Sequence, residues 1–160
     1  MIVTLDTNVL IWGVKQAATD GQENKIREAQ ALLVKLAADQ HTIALTTMAV
    51  AEYLAAFAMR DRLRQRKIII ERFPILPFDQ NAMDVAADLL YDKTRLKDAQ
   101  GAGGTRQCVK ADLAIVATAI AHNVSTIYSE DTGMAAIAQG KIPVFDLSRV
   151  PDPTDVSHDS

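Results

Sequence analysis

Three long apolar segments of the chain each contain a single charged residue, and in every case that residue is a carboxylate. The acids and their segments are Asp6 in 1–14, Glu52 in 43–59 and Asp112 in 111–121. An isolated carboxylate in such surroundings costs several kcal/mol or takes up a proton, so three of them require a shared explanation. The simplest explanation is that they converge on a divalent cation, whose charge offsets the cost of burying them together.

The apolar periodicity of the chain predicts β-strands that alternate with α-helices. Strands are expected at 2–5, 42–45, 125–128 and 142–145. Helices are expected at about 22–39, 60–72, 80–96, 109–122 and 131–139. A further helix, capped by Thr46 or Thr47, is expected to carry Glu52. A break at Pro74 and Pro77, a glycine-rich loop at 98–107 and a polar, disordered tail at 151–160 complete the prediction. This alternation predicts one α/β domain at 1–150, with helices on both faces of a mainly parallel sheet in a three-layer α/β/α arrangement.

Four acids fall where such a fold gathers its functional groups. The carboxyl ends of parallel strands meet at one edge of the sheet. Asp6 directly follows the first strand, and Asp131 lies three residues beyond the third. Glu52 is about two turns into the helix after the second strand, and Asp112 is in the first turn of its own helix. We therefore expect these four carboxylates to meet at one edge.

Each acid also has an ordinary structural interpretation. Asp6, Asp112 and Asp131 can stabilise helix N-termini, and Glu52 can be a solvated side chain. The joint arrangement favours a metal site, because four crowded carboxylates repel one another unless a cation such as Mg²⁺ neutralises them. Asp131 comes from a loop, so we expect it to contribute less to metal affinity than Asp6, with Glu130 as the alternative ligand.

The composition limits the classes of function. The chain is 49% hydrophobic and 23% charged, an ordinary globular mix, and its net charge of −3 excludes a strongly basic protein of the histone kind. One cysteine, Cys108, permits no internal disulfide, and we see neither a leader pattern nor a long uncharged apolar run. A cytoplasmic protein without a membrane segment is expected. The three histidines are scattered and no Gly-x-Ser-x-Gly motif occurs, which disfavours a serine hydrolase.

Four segments of the chain resemble the motif regions of the PIN-domain family, best known for the toxin nucleases of VapC-type toxin–antitoxin pairs. The segments are IVTLDTNVLI at 2–11, TTMAVAEYL at 46–54, ADLAIVATAIAHN at 111–123 and IYSED at 127–131. The resemblance covers about 1–146, and region 93–107 departs from it by being longer and richer in glycine. It implies an α/β/α domain that hydrolyses RNA phosphodiesters with Mg²⁺ or Mn²⁺ through activated water.

The resemblance assigns roles to individual positions. By position, the metal-binding and catalytic acids are Asp6, Glu52, Asp112 and Asp131. The polar residues expected to support them are Thr7, Asn8, Thr46 and Ser129. Arg106 and Lys110 lie near Asp112 in the sequence and are candidates for contacts with RNA phosphates. Arg60, Arg64 and Lys67 form a basic stripe at helical spacing, for which a solvated helix face is the simpler interpretation.

The resemblance also implies partners. A small antitoxin would cover the acidic edge and present an Arg or Lys to the carboxylates in imitation of the metal ion. Its apolar contacts are expected on the helices around 48–72, at Tyr53, Phe57, Ile68 and Ile69. A homodimer is expected as well, because small domains of this fold usually pair and the chain is rich in apolar residues.

Two alternatives remain open and a third is excluded. An RNA-processing nuclease without an antitoxin would use the same catalytic residues as a toxin. A non-catalytic binding module of the same fold is disfavoured, because it would retain repelling carboxylates for no gain. A phosphatase of the haloacid-dehalogenase type requires a second Asp two residues after the first, where this chain has Asn8.

Overall fold

The architecture is a central parallel sheet between layers of helices. The computed structural model of the 160-residue chain describes residues 1–101 and 106–149, without the side chains of residues 106 and 107. The strands are β1 (Ile2–Leu5), β2 (Thr42–Ile43), β3 (Leu45–Thr46), β4 (Ile75–Leu76), β5 (Thr126–Tyr128) and β6 (Val144–Phe145). The helices are α1 (Thr7–Leu10), α2 (Glu23–Ala38), α3 (Thr47–Ala55), α4 (Met59–Arg72), α5 (Gln80–Tyr91), α6 (Lys93–Gly101), α7 (Arg106–Ala121) and α8 (Thr132–Ala138). A π-helical segment, Ile11–Lys15, continues α1.

The main sheet has the strand order β2-β1-β5-β6, and all of its pairings are parallel. A second pair, β3 with β4, is also parallel. Strand β1 lies in the interior of the sheet and is buried along most of its length, with Val3 and Leu5 fully inaccessible to solvent. The predicted three-layer α/β/α fold with a mainly parallel sheet is confirmed.

The π-helical segment packs closely on α2. Trp12 and Gly13 are both buried there. A Cβ at position 13 would lie 2.9 Å from Leu33 Cδ1, so any larger residue there would require the Leu33 side chain to shift. The contact fixes the chain that leads away from the end of β1.

The predicted second strand is divided in the structure. Residues 42–45 form β2 and β3, which pair with different neighbours on either side of Ala44. The prediction missed β4, because two-residue strands are too short to show an alternating pattern.

The predicted helix at 80–96 and the predicted loop at 98–107 were wrong in part. Helix α5 ends at Tyr91, and Asp92 adopts a non-helical conformation and accepts a hydrogen bond from the Arg95 amide at 3.1 Å. Residues 98–101 belong to α6 and residues 106–107 to α7, while 102–105 lie outside the described residues. Ala99 of α6 is completely buried, and this packing outweighs the low helix propensity of Gly101 at the end of the helix. The predicted tail at 151–160 also lies outside the described residues.

None of the helices in the described part of the chain is both long and apolar enough to cross a membrane.

Arg95 joins α6 to the end of α8, and its loss should destabilise the domain. Its Nη1 donates to the carbonyl oxygens of Ile137 (2.6 Å) and Gln139 (2.7 Å), and its side chain is 15% exposed. We expect Arg95→Met to lower the free energy of unfolding by about 2–3 kcal/mol, since it leaves these carbonyls without their charged donor. Urea unfolding measures this, with Lys97→Met on the exposed side of α6 as the control. Equal midpoints for the two variants would contradict the prediction.

Candidate active site

Asp6 occupies the point where β1 ends and α1 begins. Its Oδ1 accepts a hydrogen bond from the Thr7 amide at 2.6 Å, which makes it the N-cap of α1. Its Oδ2 accepts one from Ser129 Oγ at 2.9 Å. The side chain is 4% exposed. Both oxygens are therefore satisfied inside the protein, and their directions are fixed.

Ser129 connects Asp6 to the loop that carries Asp131. The register pairs Leu5 with Tyr128, so the residues that follow the two strands are neighbours. Ser129 Oγ accepts a hydrogen bond from the Asp131 amide at 3.0 Å while it donates to Asp6. Asp131 is the N-cap of α8, with Oδ1 accepting from the amides of Gly133 and Met134. One carboxylate oxygen of Asp131, Oδ2, lies outside these cap bonds.

Glu52 reaches the same place from α3. Thr46 is fully buried and caps this helix, its Oγ1 accepting a hydrogen bond from the Ala49 amide at 3.3 Å. Glu52 lies a turn and a half further along, and its Oε2 accepts a hydrogen bond from Thr7 Oγ1 at 2.5 Å. Thr7 therefore orients Glu52 beside Asp6.

Asp112 completes the group from α7, and the acids influence one another's ionisation. Burial, followed by the negative charges of Asp131, Asp6 and Glu52, raises the pKa of Asp112 from 3.8 to about 7. Burial also raises the pKa of Asp6 to about 6, against the lowering effect of hydrogen bonds from Ser129 and Thr7; the charges of Asp131 and Glu52 add to the increase. The four predicted acids thus lie within one electrostatic cluster, called here the carboxylate cluster.

The carboxylate cluster offers only oxygen atoms as ligands. Among the described residues, no three Asp, Glu, His or Cys side chains stand close enough together to hold a metal ion directly. Mg²⁺ keeps several of its waters and often binds through one or two carboxylates, so oxygen donors spaced more widely are still suited to a hydrated ion. The raised pKa values mark a site whose charge is not balanced by any cation among the described residues.

Several predicted residues lie elsewhere or make no contact. Asn8 is exposed, and no side-chain hydrogen bond links it to another described residue, unlike Thr7, Thr46 and Ser129. Lys110 is exposed and two residues before Asp112, so the two side chains leave α7 on different faces. The side chain of Arg106 lies outside the described residues.

Glu130 points away from the carboxylate cluster. Its Oε1 accepts a hydrogen bond from the Leu147 amide at 3.1 Å, and its Oε2 lies 3.2 Å from Lys25 Nζ. These contacts hold Glu130 on the side of α2, whereas Asp131 contributes to the charge at Asp6 and Asp112. Of the two neighbouring acids, Asp131 is the one in the carboxylate cluster.

No pattern in the sequence indicates the residues that hold the C-terminal end of α3. Lys15 Nζ donates to the Ala56 carbonyl oxygen at 2.8 Å and lies 4.6 Å from the centre of the Phe57 ring. Arg62 Nε donates to the Phe57 carbonyl oxygen at 3.1 Å. Two cations from different elements thus satisfy the carbonyls at the C-terminal end of the helix that carries Glu52.

The model of the PIN-domain family matches residues 3–140, which is most of the chain. This chain belongs to the PIN-domain family. The predicted family membership is thereby confirmed. The segments that resemble the family's motif regions carry the four acids of the carboxylate cluster, after β1 and β5 and on α3 and α7.

Solved structures of similar fold come from bacterial toxin–antitoxin complexes. One is VapBC2 from Rickettsia felis bound to a DNA fragment from its promoter, with 20% identity, a TM-score of 0.62, and coverage of 91% of this chain and 98% of that one. VapBC-1 from nontypeable Haemophilus influenzae has 14% identity and a TM-score of 0.64, covering 93% and 100%. DNA-bound VapBC from Salmonella typhimurium has 16% identity and a TM-score of 0.64, covering 92% and 98%. At these identities the likeness concerns the fold. No curated protein matches the chain.

The raised pKa values of Asp6 and Asp112 predict that the metal-free protein loses stability as the pH rises. Both groups keep protons in the folded state at pH values where the unfolded chain has lost them, so the free energy of unfolding should fall between about pH 4 and pH 8. Asp112→Asn removes one of these ionisations. We expect it to stabilise the metal-free protein at about pH 8 by roughly 1–2 kcal/mol, because water screens part of the repulsion at this partly exposed residue.

Urea unfolding in EDTA at about pH 5 and about pH 8 measures this difference. Asp84→Asn, an exposed acid on α5, is the matched control and should leave the pH dependence unchanged. A wild-type protein whose stability rises over this interval, or an Asp112→Asn variant with the wild-type pH dependence, would contradict the prediction.

Proposed function

We propose that this PIN domain is a metal-dependent endoribonuclease. The observation that supports the proposal best is the carboxylate cluster, in which burial and mutual repulsion raise two pKa values far above normal. Acids held in such surroundings lower the stability of the fold. Acids with pKa values perturbed in this way concentrate at catalytic and metal sites.

Asp6, Glu52, Asp112 and Asp131 would hold Mg²⁺ or Mn²⁺ in this proposal. When bound, such an ion activates water for attack on a phosphodiester and offsets the negative charge at phosphorus. Ser129 fixes Asp6 through a hydrogen bond at 2.9 Å and holds the Asp131 amide at 3.0 Å. Thr7 fixes Glu52 at 2.5 Å. These contacts orient the acids before any ligand arrives, which reduces the cost of ordering them on binding.

The choice of RNA as substrate rests on membership of the PIN-domain family. A non-catalytic module would gain nothing from acids that destabilise it, so the carboxylate cluster favours an enzyme. A toxin and an RNA-processing nuclease would share these residues, and the difference between them lies in the partner.

We favour the toxin of a toxin–antitoxin pair, because the solved structures of similar fold are VapBC complexes. The partner would be a small antitoxin that covers the carboxylate cluster and presents a cationic side chain to it. Tyr53 and Ile69 are 1% and 0% exposed, so they cannot line the apolar contact predicted from the sequence. Phe57 and Ile68 are half-buried. A homodimer belongs to the same proposal, and sedimentation of the purified chain tests it.

RNA cleavage should require the metal ion and each of three acids. We expect Asp6→Asn, Glu52→Gln and Asp112→Asn each to reduce the cleavage rate of a mixed RNA pool in Mg²⁺ by about 100-fold or more, since each removes a negative charge from the proposed metal site. Removal of Mg²⁺ with EDTA should have an effect at least as large. End mapping of the products shows whether cleavage is endonucleolytic.

Asp84→Asn is again the matched control, because it removes the same charge from the exposed side of α5. Retained cleavage in EDTA, or in Asp6→Asn, would refute the mechanism. Circular dichroism of each variant separates loss of chemistry from loss of fold, and Asn at position 6 can still cap α1.

An antitoxin that imitates the metal ion should lose affinity when the carboxylate cluster loses charge. The test protein is the product of a short reading frame next to this gene, co-expressed with the chain. We expect Asp112→Asn to weaken the complex by about ten-fold or more, as loss of one member of a close ion pair does at an interface, while Asp84→Asn leaves it intact. Calorimetry measures both. A neighbouring product that neither binds nor relieves growth arrest would favour the processing nuclease.

A further inference from the structure

Helix α4 is strongly basic in an otherwise acidic protein. It contains six of the chain's 17 Lys and Arg residues but two of its 20 Asp and Glu residues. The remainder of the chain is therefore clearly acidic. Segregation of charge onto one helix produces a local positive field that the net charge of −3 does not reveal.

Most of α4 faces solvent. Ile69 is its fully buried residue, and Gln65 and Ile68 are half-buried, so these positions mark the side that packs on the domain. Arg60, Arg64 and Lys67 are exposed. Their spacing of four and three residues places them together on one solvent-exposed face of the helix, which is called here the cationic face.

The cations of α4 are poorly neutralised. Arg60 lies 3.6 Å from Asp61, with the Arg60 side chain 88% exposed, and Lys67 lies 3.7 Å from Glu71, with the Lys67 side chain 74% exposed. Exposed pairs at such distances contribute little. No carboxylate of the described residues pairs with Arg64. The cationic face is thus available to an anionic ligand.

Positive charge continues from α4 toward the carboxylate cluster. Lys15 and Arg62 meet at the end of α3, where they bind the carbonyls of Ala56 and Phe57. Ala56 lies four residues after Glu52, about 6 Å along the helix axis. Lys15 and the Arg62 end of α4 therefore lie about one helical turn along α3 from Glu52, an acid of the cluster.

An exposed apolar strip lies beside the cationic face. Met59, Leu63 and Ile70 are 80%, 76% and 51% exposed. Single-stranded RNA is complementary to this surface, because it has an anionic backbone and unpaired bases whose faces are apolar. A duplex would match less well, because its bases are stacked and turned inward.

We propose that the cationic face of α4 binds the phosphate backbone of single-stranded RNA next to the cleavage site, with bases lying over the apolar strip. This rests on the proposed function, since it assigns α4 to the same substrate. Proximity to the carboxylate cluster favours RNA over an acidic protein. A nuclease whose catalytic site is acidic repels its polyanionic substrate, and a cationic surface beside that site supplies the missing attraction.

The test measures RNA affinity without cleavage, by fluorescence anisotropy in EDTA with a labelled single-stranded RNA of about 15 nucleotides. The variant is Arg64→Gln with Lys67→Gln, which removes two exposed cations that make no contact with the core. We expect roughly a ten-fold loss of affinity at low salt. The slope of log K against log salt should become shallower by about 1.4, because two phosphate contacts are lost at about 0.7 each.

The matched control is Lys35→Gln with Lys141→Gln, which changes the net charge equally. Both residues are exposed and precede strands, at the opposite edge from the carboxylate cluster. This control should bind RNA as the wild type does. Wild-type affinity and salt slope in the α4 variant would overturn the proposal and point to an acidic protein as the ligand of α4. A duplex RNA of the same length should bind more weakly than the single strand, and equal binding would remove the role of the apolar strip.

Failure of the proposed function gives a different result. A wild-type protein that binds RNA through α4 but does not cleave it in Mg²⁺ leaves the surface assignment intact and refutes the nuclease. A protein that cleaves RNA with no contribution from α4 refutes the surface assignment and leaves the proposed nuclease function intact.

Discussion

Electrostatic repulsion among the acids of the carboxylate cluster is the constraint on which the surrounding structure depends. Burial and neighbouring charge raise the pKa of Asp6 and of Asp112, so the folded protein holds these groups at a cost. The cost is limited by hydrogen bonds from Thr7 and Ser129, which satisfy both oxygens of Asp6. The sheet places these donors, because Leu5 and Tyr128 pair in register and the residues after them must then be neighbours. The parallel register is therefore what makes the cluster possible.

The acids serve the fold as hydrogen-bond acceptors and the site through their negative charge. Asp6 and Asp131 each cap a helix, and Thr46 caps the helix that brings Glu52. Capping requires an oxygen acceptor but no charge, and asparagine is as good a cap as aspartate. Charge is required where a cation is to be bound. Amide substitutions can therefore separate the two roles, since they keep the acceptor and remove the repulsion.

The charge distribution divides the surface into an acidic site and a basic helix joined at the end of α3. Lys15 and Arg62 lie at this junction and bind the carbonyls of Ala56 and Phe57, which directly follow α3, and Arg62 is itself one of the cations of α4. An acidic metal site needs such a neighbour if its substrate is a polyanion, because long-range attraction raises the rate of encounter and falls with salt. The composition alone, with a net charge of −3, hides this arrangement.

The sequence alone determined the fold class, the PIN-domain family and the set of acids in the carboxylate cluster. Those inferences succeeded because single carboxylates in apolar segments are rare, and because strand periodicity places residues at the carboxyl ends of parallel strands. Tertiary structure decided what depends on contacts between distant residues. It turned Glu130 toward Lys25, buried Tyr53 and Ile69, packed α6 on α8 with Ala99 buried, and brought Lys15 to Ala56. No local pattern encodes these outcomes, since each depends on which partner the fold brings within a few ångströms.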